Sequence, residues 1–193
     1  HDNDHFGWSV DVYGDTVAIG EPGFDEALGN DHGMAWVYYR SGGSWYTRPP
    51  LEDPGVGAYN ELGWSVAVSP PSIIAGAPGD SSSRGSVSEF TWKGAAWAMA
   101  PRLYVSGGLA GDRFGNDLDV SGTTLVVGAY GRDLTAGLDA GVAYVFARSG
   151  GAWAWQASLM SPDPSEYASF GWAVGVDGDT IAIGECQGSA GAG

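Results

Sequence analysis

Hydrophobic and polar positions alternate in short bursts along this chain, and the bursts come back in the same order. From Trp8 to Val12 the apolar residues Trp8, Val10 and Val12 fall on one face and Ser9 and Asp11 on the other. Period-two alternation over so few residues predicts a half-buried strand. Gly14-Asp15 follows, a pair suited to a tight hairpin because glycine accepts the positive φ such turns need. Next comes Thr16-Val17-Ala18-Ile19-Gly20, small and almost wholly apolar, as expected of a strand buried on both faces. A polar loop over 21–32 leads to a third strand at Gly33-Met34-Ala35-Trp36-Val37-Tyr38. The turn Arg40-Ser41-Gly42-Gly43 then leads to a fourth strand, which carries Trp45 and, six residues later, Leu51.

The whole pattern is written again. Phe6-Gly7 returns as Leu62-Gly63, Phe114-Gly115 and Phe170-Gly171, and Gly20 returns as Gly76, Gly128 and Gly184, with spacings of 56, 52 and 56 in both series. The four-residue deficit falls in the loop after the second strand, which spans 77–84 in the second copy and 129–140 in the third. Trp45 and Leu51 have counterparts in Trp97 and Leu103 and in Trp153 and Leu159. No segment sustains a helical period. Self-similarity at this spacing, with four strands per unit, predicts an all-β protein built as a β-propeller of four-stranded blades. Stacked solenoids are the alternative, with shorter units. The repeats run over about 1–56, 57–108, 109–164 and 165–193 within one domain, 1–193: three complete units and half of a fourth. On this reading the fixed Trp, Phe and Leu are inter-blade packing, and the fixed glycines are turns and close approaches.

These phrases resemble the FG-GAP repeat family of the integrin α-subunit propeller and of many bacterial secreted or surface proteins. Phe6-Gly7, Phe114-Gly115 and Phe170-Gly171 match its first element, and Gly76-Ala77-Pro78 matches its second. Gly20-Glu21-Pro22, Gly128-Ala129-Tyr130 and Gly184-Glu185-Cys186 are degenerate versions of the second, and Gly141-Val142-Ala143-Tyr144-Val145-Phe146 is similar to the third-strand phrase of bacterial members. The resemblance implies a propeller, commonly of seven blades, an extracellular or cell-surface location, and a role in binding or adhesion. Many integrin-type repeats also hold calcium in a loop between the first two strands. Calcium needs six to eight oxygens, hence a loop of about nine residues or more. The corresponding connections here are Gly14-Asp15, Pro70-Pro71, Gly122-Thr123 and Gly178-Asp179, so that site does not carry over.

Composition narrows the choice of partner. The net charge is −15, from 23 acidic and 8 basic side chains. Phosphate backbones are gripped by Lys and Arg, so nucleic acid and anionic membrane are disfavoured. No run approaches the roughly 18 apolar residues of a membrane span, and the single Cys186 excludes an intrachain disulfide. No nucleophile elbow, zinc-protease helix, phosphate loop or C-x-x-C occurs. The three histidines, His1, His5 and His32, lie in terminal or loop sequence.

The remaining chemistry lies in the loops between second and third strands. Phe24, Asp25, Asn30, Asp31, Asp80, Tyr130, Asp133 and Asp139 are the candidate ligand-binding residues. Asp25, Asn30, Asp31, Asp133 and Asp139 are the calcium candidates, oxygen-bearing side chains whose spacing matches no EF-hand. No other cofactor is expected. The expected function is a non-catalytic binding module with a protein or glycan ligand held by loops at one end of the blades. Two alternatives stand beside it: a self-assembling structural protein whose open propeller edges other chains complete, and a domain of a polysaccharide-acting enzyme. The chain stops at the equivalent of Gly137, before a third strand, so either a longer propeller or completion by another chain is expected.

Overall fold

The computed structural model describes residues 4–25, 31–55 and 57–186. Fourteen strands form three four-stranded antiparallel sheets and one two-stranded sheet, each a meander in sequence order. The first blade holds β1 (Val10–Tyr13), β2 (Thr16–Glu21), β3 (Met34–Ser41) and β4 (Ser44–Thr47). The second holds β5 (Ser65–Ser69), β6 (Ser72–Ala77), β7 (Ser86–Trp92) and β8 (Trp97–Met99). The third holds β9 (Leu118–Ser121), β10 (Thr124–Ala129), β11 (Val142–Ser149) and β12 (Ala152–Leu159). The fourth has β13 (Ala173–Asp177) and β14 (Thr180–Gly184). The first strands of successive blades, β1, β5, β9 and β13, lie side by side along the inner wall. This is the propeller-like arrangement that the repeat predicts.

The core lies between blades rather than within them. Ala18, Val37 and Leu51 of the first blade pack with Leu62, Val66 and Ile73 of the second. Ala67 and Ile74 of the second pack with Phe114, Leu118 and Leu125 of the third. Val126 and Ala143 of the third pack with Phe170, Val174 and Val176 of the fourth. Sheets stacked this closely leave no room for side chains at certain positions. A Cβ on Gly76 would sit well inside contact distance of the Gly115 carbonyl oxygen, and Gly20 and Gly128 meet Gly63 and Gly171 in the same way. The two halves of the repeated phrase therefore touch across every seam.

The polar face of the first strands does more than meet solvent, because its side chains also bond the main chain of the next blade. Ser9 Oγ donates to Gly63 O at 2.8 Å and Ser65 Oγ to Gly115 O at 2.8 Å. Asp11 accepts from Val68 N at 2.6 Å, Asp117 from Val174 N at 2.6 Å and Asp119 from Val176 N at 2.7 Å. Each is a side chain of one blade fastened to the main chain of the next. These bonds satisfy buried main-chain groups that would otherwise carry a desolvation cost of about 1–3 kcal/mol each. Longer-range fasteners join the linkers. Arg102 grips Asp53 through Nε and Nη2, at 2.6 and 2.9 Å, and Ser88 Oγ adds a bond to Asp53 at 3.0 Å. Arg148 pairs with Glu89 of the preceding blade and lies 4.4 Å from the Trp153 ring centre.

Faces without a neighbouring blade stay open. Val10 and Val12 are exposed, whereas their counterparts Val66 and Val68 are buried.

Candidate functional site

The inner wall ends, on the loop side, in a ring of aromatic residues. Trp8, Trp64 and Trp172 occupy the same repeat position, directly after the Phe-Gly or Leu-Gly pair. Each is carried by a turn that closes on itself, with Trp8 N, Trp64 N and Trp172 N bonded to the carbonyls of His5, Glu61 and Ser169. Trp8 and Trp64 rest against one another with ring centres 4.6 Å apart. The third blade has Asn116 at this position, and its Nδ2 donates to Trp172 O at 2.8 Å. Tyr130, from the loop after β10, supplies the missing ring and packs on Trp172 at 4.6 Å. Tyr130 stands where the other blades have Pro22, Pro78 and Cys186. Two departures from the repeat thus compensate one another.

These rings border a pocket of about 540 Å³ that runs down the inner wall past Asp11, Asp117 and Asp119. Trp8 and Trp172 remain 50% and 49% exposed there. A second hollow of about 310 Å³ adjoins the first across Trp8 and Trp64 and adds His5, Asp31 and Glu61. Burial pushes the Asp117 carboxyl above its ordinary range, against the lowering effect of the Val174 and Leu118 amides, and Asp119 adds to the rise. Burial also raises Glu61, with Arg113 opposing and Asp31 reinforcing. Tyr130 is raised chiefly by burial as well. The site is apolar at its rim and acidic along its floor.

Of the residues picked out from sequence, Tyr130 and Asp31 line these two hollows. Asp25 Oδ1 accepts from Asp31 N at 2.6 Å, and Asp133 Oδ1 accepts from Asp139 N at 2.9 Å, so the first and third loops share one hydrogen-bonded hook. The carbonyls of Asp31 and Asp139 accept from Glu61 N and Ser169 N of the following blades. Burial, then Asp133, raises Asp139. Phe24 packs its edge on the buried His32 at 6.2 Å. Asp80 is buried and accepts from Tyr104 OH at 3.1 Å, with Arg102 Nη1 3.6 Å away. Asn30 lies outside the described residues. Phe24, Asp25, Asp80, Asp133 and Asp139 thus sit in loop hooks and seams, and of these Asp139 is near enough to Tyr130 to add to its raised pKa.

The fit of calcium can be judged from the turns. The pairs Tyr13/Thr16, Ser69/Ser72, Ser121/Thr124 and Asp177/Thr180 close each hairpin over two residues, too few to wrap an ion. Among the described residues, no group of three or more His, Cys, Asp or Glu side chains is placed to hold a metal.

Sequence reasoning placed Trp8 on the apolar face of a half-buried first strand and did not single out Trp64 or Trp172. The available signal was the paired departure in the third blade, Asn116 for Trp and Tyr130 for Pro. A family model for the FG-GAP repeat matches residues 1–38, 97–146 and 153–193. No curated protein matches the chain. With that model covering most of the sequence, and with the glycines of its two elements, intact or degenerate, meeting at each described blade seam, the chain belongs to the FG-GAP repeat family.

Proposed function

We propose that this chain is a non-catalytic binding module, outside the cell or on its surface, that takes a protein or glycan ligand at the aromatic-ringed end of its inner wall. The observation that carries the reading is the pocket of about 540 Å³ bordered by Trp8, Trp64, Tyr130 and Trp172. It falls within the 300–1,000 Å³ usual for ligand sites, and its aromatic rim with a few polar groups suits one. Leaving two tryptophans half exposed forfeits hydrophobic stabilisation, and Trp offers a ligand a large rigid face at low entropic cost. The floor carboxylates support binding rather than catalysis. Asp11 and Asp119 each accept main-chain amides on both oxygens, which commits those oxygens to a structural role. With a net charge of −15, neutral or basic ligands are favoured over nucleic acid.

The test is a glycan array and a surface-protein capture screen, run with and without calcium, on the parent chain and a Trp8→Ala/Trp172→Ala variant. Losing aromatic anchors of this kind weakens binding by roughly thirtyfold or more. A bound ligand indifferent to both substitutions, or turnover of a polysaccharide by the parent chain, would count against the proposal.

A second reading is favoured by the open face of the first sheet. Val10 and Val12 are exposed at the position where Val66 and Val68 take a neighbouring blade, as expected of a structural unit completed by other blades. Negative-stain microscopy separates the readings, with rings or filaments supporting the second and isolated particles opposing it.

A further inference from the structure

We propose that the hollow at the outer seam between the first and second blades binds a small molecule bearing one carboxylate, which pairs with Arg48. The repeat supplies its own comparison. At the seam between the second and third blades, Arg148 lies 4.4 Å from the ring centre of Trp153 and pairs with Glu89 of the preceding blade. At the seam before it, Arg48 takes the matching place, 5.8 Å from the ring centre of Trp97, the counterpart of Trp153, and 4.2 Å from that of Trp92. The counterpart of Glu89 here is Val37: Val37 pairs with Ala18 as Glu89 pairs with Ile74. The departures come together. Trp92 stands where the other blades have Arg40 and Arg148, and Arg48 stands where they have Ala100 and Gln156. The first seam thus keeps a guanidinium against aromatic rings and has replaced its counter-ion by an apolar residue.

The other arginines are provided for. Arg40, Arg102, Arg113, Arg132 and Arg148 face carboxylates, and Arg84 donates to Val105 O. Among the described residues Arg48 has no such oxygen, and both its Nε and its Nη1 are buried without a hydrogen-bond partner, whereas Arg84 and Arg148 leave only Nε so placed. Aromatic rings attract the charge but supply no oxygen to its N–H groups. Arg48 is half-buried and forms part of the wall of a hollow of about 210 Å³, with Pro70, Pro71, Ile73, Trp92 and Trp97. That volume lies below the usual range for drug-sized ligands and suits a single ring or short chain. The planar fork of a guanidinium matches the two oxygens of a carboxylate. One cation between apolar walls balances one negative charge, and a dianionic phosphate would keep an uncompensated charge there. The hollow shares no residue with the aromatic-ringed pocket, so this site lies beyond the function proposed above.

Nuclear magnetic resonance of the full chain tests the proposal, following the indole N–H signals of Trp92 and Trp97. The probes are glucuronate, a sugar acid, and cyclohexanecarboxylate, an apolar one, with glucose and cyclohexanol as neutral controls. Saturable shifts are expected with at least one acid, at a Kd of about 1–10 mM for a single ion pair, and the better acid identifies the body that carries the carboxylate. Arg48→Gln, which copies the third blade's Gln156, should weaken binding by about tenfold or more. Val37→Glu, which copies the second blade's Glu89, should do the same by supplying an internal carboxylate; if one variant fails to fold, the other decides. The Trp8→Ala/Trp172→Ala variant should bind like the parent chain. Four results would each overturn the proposal: no saturable shift with either acid up to about 100 mM, equal shifts with the neutral controls or with inorganic sulfate, binding indifferent to Arg48→Gln, or binding lost in the Trp8/Trp172 variant.

Discussion

Phe6 and Phe114 are the same residue of the same repeated phrase, and truncating each to alanine should have unequal effects. Phe114 is 1% exposed and meets Tyr144 and Phe146 edge-on at 5.8 and 5.9 Å. Removing a fully buried Phe deletes its transfer free energy and leaves a cavity, together about 3–5 kcal/mol. Phe6 is 53% exposed and has one edge contact, with Trp36 at 6.4 Å. With half the burial and an opening to solvent instead of a cavity, its loss is about 1 kcal/mol. For a chain of this size each kcal/mol moves the melting temperature by about 2–4 °C. Phe114→Ala should therefore lower Tm by about 6–20 °C, and Phe6→Ala by no more than about 4 °C. Thermal melts followed by far-UV circular dichroism, with urea midpoints as a check, measure both. Equal losses would refute the argument that this element acts through packing between blades, because the two positions differ in packing and not in sequence.

Three further outcomes are expected. Asp53→Ala leaves the Arg102 guanidinium mostly desolvated without its bidentate partner and should cost about 3–5 kcal/mol, read as a drop in the urea midpoint. Asp117, Glu61 and Asp139 all have raised folded-state pKa values, so the folded protein holds their protons more tightly than the unfolded one. The stability tied to these protons is complete below the ordinary carboxylate range and is lost as pH rises through the raised values. Tm should accordingly climb as pH falls from neutrality toward the ordinary carboxylate range, and Asp117→Asn should flatten the climb; a profile that drops over this window, or is unchanged in the variant, contradicts the assignment. Chelation by EDTA should move Tm by less than about 1 °C, because a hairpin of two residues offers too few oxygens for calcium.

Strand order, turn positions and the blade period were legible because glycine marks them. Gly76 and Gly128 are required by a main-chain approach from the next blade, and that requirement repeats with the unit. The roles of the polar residues were less legible. Ser9 and Asp11 alternate with valines as they would on a strand facing water, and a period-two pattern is the same whether the polar face meets solvent or the carbonyls and amides of a neighbouring blade. Trp8 and Trp172 posed a similar difficulty, since burial at that position depends on how closely the inner strands converge. Tyr130 was recognisable because it breaks its own repeat. Asp25 and Asp133 were placed correctly in loops, but their oxygens serve the amides of Asp31 and Asp139, a bond that six-residue spacing does not reveal.

The fasteners between first strands run one way, from side chains of one blade to the main chain of the next. Ser9, Asp11, Ser65, Asp117 and Asp119 supply the side chains; Gly63, Val68, Gly115, Val174 and Val176 receive them through atoms that every residue except proline possesses. At Val68, Val174 and Val176 the receiving half asks only for an amide, whereas at Gly63 and Gly115 it falls on a glycine that the repeat already keeps. A duplicated or transplanted unit would meet a compatible joint at once, before any of its side chains had adapted. Lineages using this joint can lengthen, shorten or reorder their blades by recombination, and a newly copied blade is at liberty to diverge at its outer rim and loop end while its inner strand goes on holding the stack.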